Sequence, residues 1–357
     1  MKIGVITFHQ ALNYGALLQT YALQKFINDN FAGVETELID YKCPYLSYLY
    51  STKAHNSGNF VYRSLKKGHF LLKRRLFQSF IRNHIKISSP YTQDTIKNAN
   101  KKYDKFIAGS DQIWNCNLTD SDMNYLLAFS DNNKRYSYAA SIGLSVIPDE
   151  VTSTYTRELG MFNAISVRES HAIETISKLG ETMPKIEQHV DPVLLLSVDQ
   201  WNLLCAKKKQ KKSKFILVFS VEYSNELIEE AVKFAKAKNM NVYYVGQRTR
   251  NPDVKYIPLI SFEKLLALFR DASYIFVNSF HGTVLSVLYH KQFYARMVHT
   301  DGRNNRIISL LDKASLQSRT SITSIDEQID WNQVDSILEA ERLRSKKYIA
   351  GIISNEN

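Results

Sequence analysis

Three short segments of the sequence combine side chains and turns that suit acid–base chemistry. In the last of them, NSFHGT, a histidine follows the apolar run YIFV and precedes a stretch with the apolar spacing of a helix. A histidine at a helix start can give a proton to a ligand held by the backbone amides of that helix. A lone histidine is also common as a structural residue, so His281 has two interpretations here. The segment supplies the candidate residues Asn278, Ser279, Phe280, His281, Gly282 and Thr283.

The second segment is AGSDQIWN, which follows the apolar, strand-like run KFIA. Ser110, Asp111 and Gln112 are polar groups that can hydrogen-bond a ligand or move a proton, and they cluster just past a buried strand. Ser110 or Asp111 could equally cap a helix, because both residue types favour that position. The segment therefore predicts either a binding loop or a helix cap.

Two further positions could hold an anion. Asn13, Tyr14 and Gly15 stand at the mouth of the first expected helix, where glycine allows a tight turn and free N–H groups favour negative charge. Such turns also carry asparagine and glycine for shape alone. Arg168, in SVRES at a strand end, offers a guanidinium suited to carboxylate or phosphate, or to an ion pair with Glu169 or another carboxylate.

The strands that precede these segments must position them. The chain opens with the apolar run Lys2–Phe8, a loop and a helical pattern. That order is typical of a doubly wound parallel sheet, which binds ligands at the carboxyl ends of its strands. Further strands are expected at Glu37–Asp40, Lys105–Ala108, Arg135–Ser141 and Ala164–Arg168.

The pattern restarts after a lysine-rich run at Lys207–Lys214, which we interpret as a linker. Strands are expected at Phe215–Val221, Asn241–Val245, Tyr256–Leu259 and Tyr274–Asn278, with helices at Ser224–Lys238, Phe262–Arg270, His281–Tyr289 and Trp331–Ile353. The whole pattern predicts an α/β fold of two Rossmann-like lobes facing a cleft. The expected divisions are residues 1–206 with a basic helical insertion at about 44–100, residues 207–330, and a C-terminal helical segment 331–357 that returns to the first lobe.

Composition narrows the class of protein. The chain has 357 residues, of which 44% are hydrophobic and 23% charged, as in a globular protein of about two domains. Three distant cysteines, at 43, 116 and 205, support neither a disulfide framework nor a zinc site. The first residues lack a signal-peptide pattern, and no run approaches the roughly 20 apolar residues of a membrane span. We therefore expect a cytoplasmic protein.

The balance of charge is basic, with 46 Lys+Arg against 35 Asp+Glu and a formal net charge of +11. Such a field favours anionic partners. The segment Val61–Lys86 interleaves basic and apolar residues at helical spacing. It could lie on an anionic membrane surface or pack its apolar face on its own domain. Nucleic acid is not expected as a partner, because the aromatic residues do not alternate with Lys and Arg across a sheet.

Taken together and in this order, the segments resemble the polysaccharide pyruvyl transferase family. The resemblance runs from about residue 1 to residue 320. It is carried by ITFHQALNYGALLQTYAL, AGSDQIWN, SVRES, VDPVLLL and VNSFHGTVLSVLYHKQFYA.

The resemblance implies a fold like that of the two-domain GT-B glycosyltransferases. It also implies phosphoenolpyruvate as donor and a saccharide acceptor, often lipid-linked, in the assembly of cell-surface polysaccharide. No metal or organic cofactor is implied, since phosphoenolpyruvate is a co-substrate. The expected place of action is the cytoplasm, including the inner face of the membrane.

The resemblance also assigns roles to residues. His281, Asp111 and Arg168 are the expected catalytic residues. Some family members carry an arginine two residues before the histidine, where this chain has Ser279, so Arg296, Arg303 or Arg306 would supply that cation. The expected substrate-binding residues are Asn13, Tyr14, Gly15, Ser110, Gln112, Ser279, Phe280, Gly282, Thr283, Arg303 and Arg306.

Two other classes of function fit parts of the pattern. A glycosyltransferase that uses a nucleotide sugar would have the same fold, and a histidine and arginines could serve a diphosphate. A noncatalytic basic module for polyanions would explain the charge alone. Phosphoenolpyruvate binding favours the first interpretation, nucleotide-sugar binding the second, and salt-dependent polyanion binding without turnover the third.

Overall fold

The computed structural model describes residues 1–51, 60–181, 183–205, 214–298, 302 and 304–354. The chain forms two compact units. Unit 1 comprises Met1–Leu195 and Glu341–Asn357, and unit 2 comprises Leu196–Ala340. The lysine-rich run lies outside the described residues except for Lys214.

Unit 1 is built on short parallel strands, most of whose residues are buried. Four strands pair in the order β2-β1-β3-β4, and two more, β5 and β6, pair with each other. Isolated parallel bridges between Tyr136 and Ala164 and between Ala140 and Val167 connect β4 to β5. The strands are β1 Lys2–Ile6, β2 Glu35–Leu38, β3 Lys105–Ala108, β4 Arg135–Ser137, β5 Ile165–Val167 and β6 Ile186–Gln188.

The helices of unit 1 follow the strands as crossover connections or form an insertion between β2 and β3. They are α1 Tyr14–Asn30, α2 Pro44–Leu49, α3 Phe60–His84, α4 Cys116–Thr119, α5 Asp149–Gly160 and α6 Ser170–Ser177. The insertion contains α2 and α3. Phe77 and Phe80 of α3 are buried. The ring centroid of Phe77 lies 4.9 Å from that of Tyr14, and the ring centroid of Phe80 lies 5.9 Å from that of Tyr21. The basic helix therefore packs an apolar face on its own unit.

Unit 2 has a five-stranded parallel sheet in the order β11-β10-β7-β8-β9. Its strands are β7 Phe215–Phe219, β8 Asn241–Val245, β9 Val254–Tyr256, β10 Tyr274–Val277 and β11 Gln292–Ala295. Its helices are α7 Val198–Cys205, α8 Asn225–Lys238, α9 Phe262–Asp271, α10 Phe280–Leu288 and α11 Asn305–Lys313. The central strands β7 and β10 are neighbours, so the loops at their carboxyl ends lie side by side.

The last helix, α12 Trp331–Ser354, belongs to both units in sequence. Within unit 1, Tyr348 Oη donates to Ser137 O at 3.0 Å and Arg342 Nε donates to Leu194 O at 2.5 Å. These contacts confirm that the C-terminal helix returns to the first lobe.

The structure departs from the sequence-based expectation at several elements. Strand β2 is Glu35–Leu38 instead of Glu37–Asp40, and β4 ends at Ser137 instead of Ser141. The strand expected at Tyr256–Leu259 is β9 Val254–Tyr256, because Pro258 has no N–H to continue the ladder. The strands β6 and β11 were not expected. The two units divide after Leu195, so α7 belongs to unit 2, whereas the expected boundary after residue 206 puts it in the first lobe.

Candidate active site

In unit 1, a buried ion pair holds the loop that follows β3. Arg168 Nη1 donates to Asp191 Oδ2 at 2.9 Å, and Ser110 Oγ donates to the same oxygen at 3.1 Å. The side chains of Arg168 and Asp191 are 2% and 0% exposed. The segment SVRES is thereby joined through Asp191 to the segment GSDQIWN. The ion pair that Arg168 forms is buried and does not lie on the surface.

The neighbouring carboxylate, Glu169, anchors the next loop. Its Oε1 accepts from Ser141 Oγ at 2.8 Å and from the amides of Ile142 and Gly143 at 3.1 and 3.3 Å. Gly143 has φ +62°, and a Cβ built there would lie 2.1 Å from Gln112 Oε1. A side chain at 143 would therefore displace Gln112, and the glycine lets the two loops approach.

Asp111 has an unusual backbone conformation. Its φ is +90°, its side chain is nearly buried, and its Oδ1 accepts from the Gln112 amide at 2.8 Å. Non-glycine residues with positive φ persist where the surrounding structure enforces them, and they cluster at functional sites. Burial raises the pKa of Tyr50, and the negative charge of Asp111 raises it further.

The first loop of unit 1 shows mainly structural contacts. Asn13 is the N-cap of α1, and its Oδ1 accepts from the Gly15 amide at 2.9 Å. Tyr14 packs its ring against Phe77, as described above. Substrate binding by Asn13, Tyr14 and Gly15 stays a prediction, while the cap explains why asparagine precedes this helix.

In unit 2, Asn278 joins the loops that follow β10 and β7. Its Oδ1 accepts from the Val221 amide at 3.2 Å, and its Nδ2 donates to Ser220 Oγ at 3.0 Å and to Glu222 O at 2.7 Å. This side chain therefore fixes the start of α10 relative to the neighbouring strand.

Ser279 is the N-cap of α10. Its Oγ accepts from the Gly282 amide at 3.3 Å, and its carbonyl accepts from Thr283 Oγ1 at 3.1 Å. A Cβ at Gly282 would lie 2.8 Å from Val277 Cγ1 and 3.0 Å from Phe219 Cδ1. The residues Ser279, Gly282 and Thr283 thus build the turn.

His281 lies in the first turn of α10 and is 8% exposed. Its ring centroid is 5.3 Å from that of Phe280, and the Arg306 guanidinium lies 6.0 Å from the Phe280 centroid. Arg306 is on the first turn of α11, so unit 2 brings a histidine, an aromatic ring and a cation together at two helix starts.

The other two candidate cations differ. Arg296 Nη1 donates to Glu230 Oε1 at 2.5 Å, which already gives this guanidinium a carboxylate partner. Arg303 lies outside the described residues. Arg306 is therefore the described candidate that shares a neighbour, Phe280, with His281.

Each unit gathers its own set of the expected residues. Unit 1 brings Ser110, Asp111, Gln112 and Arg168 together, and unit 2 brings Phe280, His281 and Arg306 together. Asp191 was missed as a site residue, although VDPV shows an aspartate between apolar residues, which requires a partner when buried. The roles of all these residues stay predictions.

The described ranges contain neither a metal-binding cluster nor a membrane-spanning helix. There, no group of three or more His, Cys, Asp or Glu side chains is arranged to hold a metal ion. In the same ranges no helix combines the length and the apolar composition needed to cross a membrane.

The sequence matches a protein family over most of its length. The family model described as polysaccharide pyruvyl transferase matches residues 13–299. The match spans the loops at Asn13, Ser110, Arg168 and His281. None of the curated proteins matches the chain.

Solved structures with low sequence identity share the fold. UDP-N-acetylglucosamine 2-epimerase from Rickettsia bellii superposes with a TM-score of 0.59 at 13% identity, covering 99% of this chain and 96% of that chain. The UDP-GlcNAc 2-epimerase from Neisseria meningitidis, solved bound to UDP-GlcNAc, gives 0.55 at 10% identity, covering 99% of this chain and 100% of that chain. These similarities confirm an α/β fold of the GT-B class.

Proposed function

Since the chain belongs to the polysaccharide pyruvyl transferase family, we propose that it transfers the pyruvyl group of phosphoenolpyruvate to a saccharide of a cell-surface polysaccharide. The family membership supports a transferase, and the proposal adds the donor, the acceptor and the bond formed. The single observation that carries it is the placement of His281, nearly buried in the first turn of α10 and next to Phe280, whose ring also lies near the Arg306 guanidinium.

The proposed reaction forms a cyclic ketal on two hydroxyls of the saccharide. Protonation of the methylene carbon of phosphoenolpyruvate makes a methyl group and leaves positive character at C2. One hydroxyl oxygen bonds to C2, the bond from C2 to the phosphate oxygen breaks, and the second hydroxyl closes the ring. Of the two hydroxyl protons, one balances the proton now on the methyl carbon and the other leaves with phosphate.

In this proposal His281 is the acid. It lies in the first turn of α10, and a helix N-terminus favours a phosphate or carboxylate. Arg306 would stabilise the negative charge on the donor, in place of the arginine that some relatives carry at the position of Ser279. Acid–base groups of this kind contribute typically about 10²–10⁴-fold to rate.

Asp111 would be the base for the acceptor hydroxyl. Its positive φ fixes the direction of the carboxylate, and Oδ2 is the oxygen not engaged by the Gln112 amide in the contacts described above. Arg168 is better explained as a positioning residue than as a donor ligand, because its Nη1 is bound to Asp191 and Ser110. It would act through Ser110 to hold the loop that carries Asp111.

Contact with an anionic membrane is a further part of the proposal. Leu71 and Leu72 of α3 are 45% and 50% exposed, between basic residues of the same helix. Flotation with anionic liposomes tests this part. Absence of binding would exclude membrane contact and would not affect the proposed reaction.

A thermal-shift titration tests the donor. A ligand that binds only the folded state raises Tm by mass action, so phosphoenolpyruvate should raise the Tm of the wild-type protein. The shift should disappear in His281→Ala and remain in His290→Ala, a variant of an exposed histidine just after the same helix.

The parallel titration uses UDP-GlcNAc, the ligand in one of the structures with this fold. A shift with UDP-GlcNAc and none with phosphoenolpyruvate would overturn the proposal in favour of nucleotide-sugar chemistry. If phosphoenolpyruvate raises the Tm of His281→Ala as much as that of the wild type, His281 does not bind the donor.

A further inference from the structure

Unit 1 contains a cavity of about 520 Å³ that the proposed reaction does not use. It lies at the carboxyl ends of β1 and β2, where His9 and Asp40 line it, and the helices α2 and α3 of the insertion form its walls. Ligands of open α/β sheets bind beyond the carboxyl ends of the strands. The insertion therefore encloses a position where this fold class binds ligands.

One side of the cavity is a polar cluster around Asp40. His9 Nε2 lies 2.8 Å from Asp40 Oδ1, and Lys42 Nζ donates to the same oxygen at 2.6 Å. Burial tends to raise the pKa of Asp40, but its bonds to His9 and Lys42 outweigh burial and lower it. The negative charge of Asp40 is thus balanced by at least one cation, Lys42.

Helix α3 contributes two further cations to the lining. Arg74 and Arg82 of α3 line the cavity and are exposed. Within the part of the chain that the structure describes, neither guanidinium forms an ion pair with a carboxylate. Counting Lys42, three permanent cations face one carboxylate at this cavity, so its field attracts anions.

Apolar side chains complete the lining. Phe77 and Ile81 project from α3 between the two arginines in sequence, and Leu46 comes from α2. A cavity lined by several cations and an apolar wall suits an anion attached to a carbon skeleton. Tyr50, whose pKa is raised by burial and also by the charge of Asp111, lines the cavity as well.

We propose that this cavity binds a phosphate ester, with Arg74 and Arg82 on the phosphate and Phe77 and Ile81 against the organic part. Arginine is suited to this task because its planar fork donates two hydrogen bonds to phosphate oxygens. The organic part is a sugar or an alkyl chain, both of which present C–H surface to the apolar wall. This site goes beyond the proposed function and does not depend on it.

Isothermal titration calorimetry tests the site with inorganic phosphate, glucose 1-phosphate and decyl phosphate, at low salt. At least one ester should bind more tightly than inorganic phosphate, because only an ester contacts the apolar wall. Tighter binding of decyl phosphate assigns the organic part to a lipid, and tighter binding of glucose 1-phosphate assigns it to a sugar. Absence of binding by both esters would overturn the proposal.

The variants Arg74→Gln and Arg82→Gln, alone and combined, test the cations. Each lost charged hydrogen-bond donor should weaken ester binding about tenfold. The matched control is Arg75→Gln, since Arg75 is exposed on the same helix and does not line the cavity. Equal affinity in the double variant, the control and the wild type would overturn the proposal.

A second variant, Ile81→Ala, tests the apolar wall. It should weaken ester binding and leave any inorganic phosphate binding unchanged. Phosphoenolpyruvate is itself a phosphate ester and is left out of these titrations. Its Tm shift in His281→Ala is therefore measured in the Arg74→Gln, Arg82→Gln background, where this cavity lacks its two arginines, so failure of the proposed function and failure of this site give separate results.

Discussion

Two loops at equivalent places in the two sheets are stabilised by different physics. The loop after β3 in unit 1 is held by charges, since Ser110 shares Asp191 with the buried guanidinium of Arg168. The loop after β10 in unit 2 is held by close packing and a helix cap. Gly282 packs against Val277, and Ser279 Oγ accepts a hydrogen bond from the Gly282 amide.

The difference determines which substitutions each loop tolerates. A buried ion pair loses most when one partner is removed, because the other charge stays buried without compensation. A close-packed turn loses most when volume is added. Both loops begin at a strand end with glycine or small polar residues, so only the surrounding contacts distinguish them.

The largest effect on stability is expected for Asp191→Ala. It leaves Arg168 buried without its carboxylate, which should lower the free energy of unfolding by about 3–5 kcal/mol. Urea unfolding followed by circular dichroism measures the change. Replacing both partners, as Arg168→Met with Asp191→Leu, should recover much of the loss because no charge remains buried.

The matched control for that pair is an exposed one. Lys236 and Asp253 form an ion pair at 2.7 Å with side chains 68% and 45% exposed. Asp253→Ala should cost no more than about 1 kcal/mol. Equal losses for Asp191→Ala and Asp253→Ala would contradict the account of the loop after β3.

A smaller loss is expected for Gly282→Ala. The added Cβ would lie within 3 Å of atoms of Val277 and Ser279, so the turn must shift at a cost of about 1–3 kcal/mol. Gly68→Ala in α3 is the control, because no atom lies within 4 Å of a Cβ there. That variant should stabilise the helix by about 0.5–1 kcal/mol. If the two variants change Tm in the same direction, packing at Gly282 is not what holds the turn.

The smallest effect is expected for Ser279→Ala, which removes the cap of α10. Loss of an N-cap costs typically about 1 kcal/mol. Ser261 caps α9 by accepting from the Lys264 amide at 3.3 Å, and Ser261→Ala should cost about the same. A much larger loss of activity than of stability in Ser279→Ala alone would show that Ser279 also binds substrate.

Much of the fold is predictable because its strands are apolar runs bounded by loops. Runs such as FILVF and YIFV can only be buried, and each is followed by helical spacing. The strand β6 Ile186–Gln188 is short and only partly buried, so its sequence is not an apolar run. The strand β11 follows α10 so closely that the sequence shows one continuous apolar stretch.

The candidate site is only partly predictable for a related reason. Residue types mark the loop that carries His281, but partners distant in sequence decide what each polar residue does. Ser110 and Asp191 are 81 positions apart and become partners only through the order of strands in the sheet. His9 and Asp40 follow β1 and β2, and their pairing likewise depends on the neighbouring position of those strands.

The most direct test of the central claim follows phosphate release from phosphoenolpyruvate by ³¹P NMR and the new ketal methyl group by ¹H NMR. The protein is supplied with a panel of saccharides that carry neighbouring free hydroxyls. We predict equal amounts of phosphate and ketal with at least one saccharide, and a rate at least about 10²-fold lower in His281→Ala at unchanged Tm. Near wild-type turnover in His281→Ala, or phosphate release without a ketal, would contradict the account.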